Sequence, residues 1–248
     1  MFVNSMTKTE VKNQLVKLIN DFHFEKLHKN KLIVFVGLLG DFDSFEYAIN
    51  LVNFQIKNDI KNLDIYLIAI GEENGKEKFC KYTNFPKKNL KVYPNNKLHK
   101  LVGASKGLDI GLGGWINMTL MLLGIGSSKT MIEVVRGYTG DKDSNQIYSD
   151  SDQINLFNFF KFSGKLFGKP FGKGYLRPFE LATFRLNNMI EIFKNWNDYM
   201  IKTKYLPQRS CTFILDENDD IQYKYFSKDI LNYSQNMKAP LNFLYKYI

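Results

Sequence analysis

Cysteine and histidine are scarce in this chain of 248 residues, which contains 2 Cys and 3 His. Cys80 and Cys211 lie far apart and lack the spacing of metal ligands, so they indicate neither a disulfide framework nor a zinc site. The histidines are scattered along the chain, and we interpret them as surface or packing residues. We therefore expect no metal and no cofactor.

Long apolar segments are also lacking. The longest apolar run, residues 115–125, is too short to cross a bilayer. The first residues do not combine a basic start with a long apolar stretch, so the sequence predicts no signal peptide. No long segment is polar enough to predict disorder. We expect a folded cytoplasmic protein, either free or peripheral to a membrane.

The first part of the chain alternates between short apolar runs and amphipathic segments. Residues 31–39, 63–71 and 90–94 have the length and apolar content of buried strands. Residues 45–60 and 72–84 lie between them and have helical periodicity. The alternation predicts βαβ units, in which the strands are parallel and helices cover both faces of the sheet.

Three further segments complete the predicted fold. Residues 8–28 have the apolar spacing of an amphipathic helix, and residues 211–226 predict an antiparallel hairpin. Residues 239–248 predict a terminal helix or an ordered tail. The predicted class is therefore α/β, with the element order of a thioredoxin-like fold: βαβαβ, then an antiparallel hairpin and a terminal helix, preceded by an N-terminal helix.

A large insertion separates the parallel strands from the hairpin. We expect a single domain over residues 1–248 with a mostly helical insertion at 105–205, because so long a segment is rarely structureless in a compact domain. Residues 115–124 and 129–137 predict two short helices, and residues 177–202 have the strongest helical periodicity. The apolar stripe of this last segment is expected to pack on its own domain: Phe179, Ala182, Leu186, Met189, Phe193, Trp196 and Met200.

The turn after the first predicted strand has the position of a redox active site but contains no cysteine. Its residues are Asp41, Phe42, Asp43 and Ser44. In the predicted fold this turn lies at the carboxyl end of the sheet and the amino end of a helix, where backbone N–H groups and the helix dipole favour an anion. A cysteine in such a place becomes a reactive thiolate.

Five segments carry a resemblance to a known family: GLLGDFDSFEYA, DIYLIAIGEENGKEKFCKYTNFP, LHKLVGA, RGYTGD and RSCTFILDENDDIQYKY. Together they resemble the alkyl hydroperoxide reductase and thiol-specific antioxidant-like, or peroxiredoxin-like, proteins of the thioredoxin superfamily. Typical members carry Cys-Pro-x-Cys, or a single peroxidatic cysteine, at this turn. The resemblance implies that Asp41 and Ser44 replace the thiols as helix-capping residues, with loss of redox function. Such a protein would act as a binding or regulatory module.

A thiol-dependent alternative stays open. Cys211 begins the strand that faces the active-site turn in thioredoxin-like folds, and Arg209 resembles the arginine that peroxiredoxins place near their thiolate. Cys80 is a further candidate nucleophile. The second hypothesis is therefore a thiol-dependent oxidoreductase, peroxidase-like in its chemistry, that uses Cys211 or Cys80.

A basic and aromatic tract at residues 161–177 suggests a third hypothesis. Cations recur at every fourth residue and are interleaved with aromatic rings: Lys161, Lys165, Lys169, Lys173 and Arg177, with Phe167 and Phe171 among the rings. In a chain with a net charge of +9, such a tract suits an anionic membrane surface or a protein partner. Nucleic acid ranks lower because no nucleic-acid-binding motif accompanies the tract. A solvated loop whose aromatic rings pack on the domain is the alternative to a peripheral membrane or assembly factor.

Overall fold

The computed structural model describes residues 7–20, 30–58, 60, 62–157 and 160–248. The helices in this part of the chain are α1 (Lys8–Asn20), α2 (Phe42–Asn58), α3 (Glu73–Thr83), α4 (Lys97–Leu101), α5 (Gly114–Leu122), α6 (Thr130–Thr139), α7 (Glu180–Lys194) and α8 (Trp196–Tyr199). The strands are β1 (Asn30–Leu38), β2 (Leu63–Ile70), β3 (Leu90–Tyr93), β4 (Asp141–Asn145), β5 (Gln153–Leu156), β6 (Phe160–Ser163), β7 (Tyr175–Leu176), β8 (Cys211–Leu215) and β9 (Ile221–Phe226).

Five strands form one mixed sheet in the order β3-β2-β1-β8-β9. The pairs β1–β2 and β2–β3 are parallel, whereas β8 is antiparallel to both β1 and β9. β1 is the central strand, and its residues 32–38 are all buried. A strand with two buried faces needs a continuous apolar sequence, which is why the run around β1 was recognisable. The predicted α/β class is confirmed.

Two cores lie on opposite faces of this sheet. Val34 and Phe45 belong to the core beneath α2 and α3, whereas Phe35 and Phe213 belong to the core beneath α1. Successive side chains of a strand point to opposite faces, so neighbouring residues of β1 enter different cores. This arrangement places helices on both sides of the sheet, as the alternating sequence predicted.

The boundaries of the predicted elements agree closely with the structure in this sheet, with three differences elsewhere. The helix predicted at residues 45–60 begins earlier, at Phe42. The described part of the predicted N-terminal helix ends at Asn20, and residues 21–28 lie outside the described residues. The predicted terminal helix is a 3-10 helix over Asn242–Lys246.

The insertion combines helices with two small antiparallel sheets. The two predicted short helices correspond to α5 and α6, while β4 pairs with β7 and β5 pairs with β6. The expectation of a mostly helical insertion missed these strands. They are only 5, 4, 4 and 2 residues long, too short to show a clear alternation of apolar and polar residues.

The apolar stripe predicted for residues 177–202 is wrong at Phe179 and Phe193, whereas Trp196 and Met200 pack against the core beneath α2 and α3. Phe193 is 55 % exposed and Phe179 is 58 % exposed, whereas Leu181 and Ile192 are buried. The buried side of α7 also includes polar residues such as Asn188. The buried side of α7 is therefore not the side that the apolar spacing predicted.

Ion pairs explain why the buried side of α7 is polar. Arg185 of α7 donates to the carboxylate of Glu46 on α2 at 2.7 and 3.2 Å, and to the carbonyl oxygen of Glu133 on α6 at 2.9 Å. Arg136 of α6 donates to the Glu133 carboxylate at 2.6 Å. Charged groups that lose water on folding need such partners, so this network holds the insertion against α2.

Two neighbouring residues of α7 test this orientation. We expect Ile192→Ala to lower the free energy of unfolding by about 2–4 kcal/mol, because the buried side chain leaves a cavity. Phe193→Ala should have a clearly smaller effect, because its ring is half exposed and stacks only on Trp196, with ring centroids 5.9 Å apart. Urea unfolding of both variants measures the difference. A larger loss for Phe193→Ala would contradict the orientation of α7.

Candidate functional site

The turn after β1 runs directly into α2 and is held by its own backbone. The N–H of Asp41 donates to the carbonyl oxygen of Leu38 at 2.9 Å, and the N–H of Ser44 donates to the carbonyl oxygen of Asp41 at 3.0 Å. The Ser44 hydroxyl donates to the same Leu38 carbonyl at 2.7 Å. Asp41 therefore lies at the amino end of α2, and Ser44 fastens the first helical turn to the end of the central strand.

Arg209, in the segment before β8, contacts both carboxylates of this turn. Its side chain is fully buried. Nη1 donates to Oδ2 of Asp43 at 3.2 Å, and Nη2 lies 3.3 Å from Oδ2 of Asp41. Nε and Nη2 also donate to the carbonyl oxygens of Pro207 and Leu206, at 2.8 and 3.0 Å. We call Asp41, Asp43 and Arg209 the carboxylate–arginine cluster.

The cluster connects segments that are distant in the chain. Oδ1 of Asp43 accepts the N–H of Leu231 at 2.8 Å, and the N–H of Arg209 donates to the carbonyl oxygen of Ser105 at 2.9 Å. The start of α2, the start of the insertion, the segment before β8 and the segment after β9 therefore meet at one point. Asp41, Asp43 and Arg209 each contribute a contact that holds these segments together.

Gly37 allows the cluster to lie this close to the central strand. A Cβ at this position would stand 2.7 Å from the carbonyl oxygen of Gln208 and 3.0 Å from Oδ2 of Asp41. Any larger residue would displace the backbone that carries Arg209 or the Asp41 carboxylate. Glycine is required here by close approach.

Burial raises the pKa values of both carboxyls of the cluster. Burial raises the pKa of Asp41, while the Arg209 guanidinium and the N–H groups of Phe42 and Asp43 oppose this rise. Burial raises the pKa of Asp43 well above its ordinary value, and the nearby Asp41 charge raises it further. One guanidinium cannot fully compensate two buried carboxylates, so Asp43 is the group that retains a proton more readily. A neutral Asp43 leaves an Asp41–Arg209 ion pair without excess charge.

Neither candidate thiol belongs to the cluster. Cys211 lies opposite Phe35 in the sheet and packs in the core beneath α1, whereas Cys80 packs in the core beneath α3. Burial raises the pKa of the Cys211 thiol well above its ordinary value and raises that of Cys80 to about 11. Because the thiolate is the nucleophile, both environments disfavour thiol chemistry at neutral pH. Arg209 contacts carboxylates instead of a thiol.

The interpretation of residues 161–177 as a row of free cations is wrong for Arg177. Its side chain is 1 % exposed and forms ion pairs with Glu180 at 2.9 Å and Asp150 at 2.8 Å. Lys169 also pairs with Asp150. The acidic partners lie outside the tract, so the regular spacing of the cations did not reveal them.

The rest of the tract is partly packed and partly exposed. Phe167 stacks on Tyr148 with ring centroids 6.0 Å apart, and it lies beneath the Arg177 guanidinium. Phe171 is exposed, as are the three remaining lysines of the tract: Lys161, Lys165 and Lys173. Three cations that form no ion pair with the described residues and two exposed rings, Phe171 and Tyr175, remain of the predicted surface.

Two residues at this site were missed by sequence reasoning. From the sequence, Asp43 was expected only to cap α2. The one signal of its role in the cluster is an acidic residue in the first turn of this helix together with an arginine before β8. His99 of α4 lies beside β1, where Nε2 is 2.6 Å from the carbonyl oxygen of Val36. Burial lowers the pKa of His99 to about 4, so the imidazole is neutral at physiological pH. No sequence signal distinguishes such a histidine.

The arrangement holds distant segments of the fold together. Asp41 and Asp43 are buried, so a substrate would have to displace the surrounding backbone to reach them. A carboxylate also cannot pass through the sulfenic acid and disulfide states of a thiol peroxidase. Among the residues that the structure describes, no group of three or more His, Cys, Asp or Glu could hold a metal ion.

Comparison with known proteins gives no match, since no family model, no curated protein and no solved structure is similar to this chain. Within the described ranges, none of the helices is both long and apolar enough to cross a bilayer. Function must therefore be inferred from the geometry of the chain itself.

Removal of Arg209 tests the electrostatics of the cluster. We expect Arg209→Met to lower the free energy of unfolding by about 3–5 kcal/mol near neutral pH, because the buried carboxyls of Asp41 and Asp43 lose the guanidinium that contacts both. In the variant the folded-state pKa values of Asp41 and Asp43 rise further above the unfolded value of about 4. The folded variant then holds protons that the unfolded chain has released, so its stability decreases as pH rises through those folded pKa values and recovers towards acid pH.

Urea unfolding of parent and variant across the range from about pH 5 to pH 8 measures this effect. Lys12→Met, which breaks the exposed Lys12–Asp220 ion pair, is the control and should leave stability unchanged within error. A loss of stability in Arg209→Met that is the same at every pH would contradict the electrostatic account.

Proposed function

We propose that this chain is a thioredoxin-like, peroxiredoxin-like protein whose catalytic turn is degenerate, and that it acts as a binding or regulatory module. The observation that carries the proposal is the pairing of Arg209 with Asp41 and Asp43, at 3.3 and 3.2 Å, in the turn after the central strand. The position is that of a catalytic thiol, and the groups that occupy it are structural.

The topology of the sheet supports this proposal. The strand order places the turn at the carboxyl end of β1, with the parallel strands on one side and the antiparallel hairpin on the other. In a thiol enzyme of this kind, a helix amino end and a nearby cation stabilise a thiolate. Here the same two features stabilise the Asp41 carboxylate. The site keeps its electrostatic character without a nucleophile that can be oxidised.

The environments of the two thiols weigh against the oxidoreductase alternative. Cys211 is fully buried, and Cys80 lies in a different core on the other side of the sheet. A peroxidase that used either residue would need to open one of these cores to expose a thiolate. The alternative remains a distinct prediction, because activity of the parent chain would support it directly.

The peripheral membrane or assembly hypothesis, placed on residues 161–177, has less support than the regulatory-module proposal. Arg177 and Lys169 are both engaged with Asp150. Attachment through this tract would depend on Lys161, Lys165 and Lys173 alone. Their charges should still contribute to attraction by an anionic surface, each by on the order of 1 kcal/mol.

Introducing a thiol into the turn tests the proposed function. In a Cys80→Ser, Cys211→Ala background, Asp41→Cys would place the only thiol beside Arg209 and the amino end of α2. We expect this thiol to titrate below the value of about 8.5 for free cysteine. Ser151→Cys in the same background is the control, because Ser151 is exposed, does not begin a helix, and has its hydroxyl contact with Ser149. Thiolate absorbance measures both titrations.

Hydroperoxide consumption completes the test. The parent chain, with a dithiol as electron donor, should consume hydroperoxide no faster than the Cys80→Ser, Cys211→Ala variant. If the cysteine at position 41 titrates like the control, the proposal that the turn is a degenerate thiol site is contradicted. Rapid turnover by the parent, abolished in the cysteine-free variant, would establish an active oxidoreductase.

A further inference from the structure

Helix α6 exposes apolar side chains and buries polar ones, and α5 exposes apolar side chains while it buries Met121 as well as a polar residue. Their buried positions include Asn117 on α5, and Thr130 and Glu133 on α6. Their outward sides carry large exposed apolar side chains, which we call the apolar face: Trp115, Ile116, Leu123, Ile132, Val135 and Tyr138. For α6 this is the reverse of an ordinary surface helix, whose polar side faces water.

The reversed polarity arises because the polar residues of α6 hold it to the domain. Glu133 forms ion pairs with Arg136 at 2.6 Å and with Arg185 at 3.3 Å. The Thr130 hydroxyl donates to the carbonyl oxygen of Ile230 at 3.0 Å. With its polar groups used internally, the helix presents apolar residues outward. Leu123 and Ile132 are 66 % and 65 % exposed. An exposed apolar patch of this kind marks an interaction site.

The two helices present one surface. Residues 123–129 join them, and the exposed Ile125 lies in this connection. A Cβ on Gly124 would lie 3.7 Å from Cγ of Met131, so the end of α5 touches the start of α6. At the other end of α5, Trp115 stacks on Trp196 with ring centroids 5.1 Å apart. The end of α5, the connection and the start of α6 are therefore adjacent, and Trp196 supports the start of α5.

The charge around the apolar face is positive. Within residues 110–140, all of which the structure describes, Lys129 is the only exposed charged residue. The flanking carboxylates of Asp109 and Asp143 are paired with Lys106 at 2.9 Å and Lys238 at 2.6 Å. These two carboxylates are paired with lysines, whereas Asp229 accepts the backbone N–H of Lys129 and forms no ion pair with the described residues.

Several lysines at the border have no such partner. Lys204 belongs to the 3-10 helix Thr203–Tyr205, which packs against the start of α5. Lys228 precedes Asp229, whose carboxylate accepts the backbone N–H of Lys129. The side chains of Lys129, Lys142, Lys202, Lys204 and Lys228 form no ion pair with the described residues. The face is thus apolar in its centre and positive at its edge.

We propose that the apolar face binds the surface of an anionic lipid bilayer. Exposed Leu and Ile side chains suit the boundary between headgroups and acyl chains, and Trp and Tyr rings suit the same depth. The bordering lysines would face acidic headgroups. A second copy of the chain fits less well, because a two-fold contact would bring the same unpaired lysines together. This inference is independent of the function proposed for the turn.

Cosedimentation with vesicles tests the proposal. The parent chain should bind vesicles of mixed phosphatidylcholine and phosphatidylglycerol, bind less as salt increases, and bind weakly to phosphatidylcholine alone. The double variant Leu123→Asp, Ile132→Asp should bind at least about tenfold more weakly, because carboxylates are excluded from the interface and repelled by it. Both changes are at exposed positions, so folding should be retained, and circular dichroism checks this. Ile56→Asp is the matched control, since Ile56 is an equally exposed apolar residue at the far end of α2.

Four outcomes would overturn the proposal. The parent chain fails to bind anionic vesicles at low salt, or the double variant binds as well as Ile56→Asp. The third outcome is that a triple variant loses binding while the double variant retains it; its changes are Lys161→Gln, Lys165→Gln and Lys173→Gln. This result would assign attachment to residues 161–177. Analytical ultracentrifugation without lipid adds a further arm: a parent dimer that the double variant dissociates would assign the apolar face to self-association. A monomeric parent and a blue shift of tryptophan emission on vesicle binding support attachment through the face that contains Trp115.

Discussion

The buried pairing of Arg209 with Asp41 and Asp43 is the interaction on which the arrangement of this molecule depends. It joins the end of the central strand to the segment before β8, and through Leu231 and Ser105 it reaches the end of the hairpin and the start of the insertion. A buried charge in such surroundings needs a partner: Arg209 pairs with the Asp41 carboxylate, and a proton retained by Asp43 removes the second negative charge. The close packing around Gly37 leaves little space for a larger residue at this position.

The same physical features account for the functional reading of the turn. A helix amino end and a guanidinium create a place for one negative charge, whether a thiolate or a carboxylate fills it. A carboxylate in this place stabilises the fold but does not supply redox chemistry. The two thiols of the chain are separated into different cores, where burial keeps them protonated. This separation of the two thiols from the turn supports the proposal of a binding or regulatory module.

Sequence predicted the parts of the fold in which local composition decides the structure. Strands β1 and β2 are buried on both faces, so their continuous apolar runs were unambiguous. The site was only partly predictable, because Arg209 and Asp43 are separated by 166 positions in the chain. The core-facing side of α7 was mispredicted for a similar reason: Arg185 is neutralised by Glu46, which lies 139 positions away. Apolar spacing cannot reveal a buried side that is built from distant ion pairs.

The most direct test of the central claim is a double-mutant cycle between Arg209 and Asp43. It compares the free energies of unfolding of the parent, Arg209→Met, Asp43→Asn and the double variant at neutral pH. If the two groups act as one buried unit, removing Asp43 should relieve part of the penalty of losing Arg209, and the cycle should give a coupling of at least about 1–2 kcal/mol. Penalties that add to within about 0.5 kcal/mol would show that the two side chains are independent and would contradict the account.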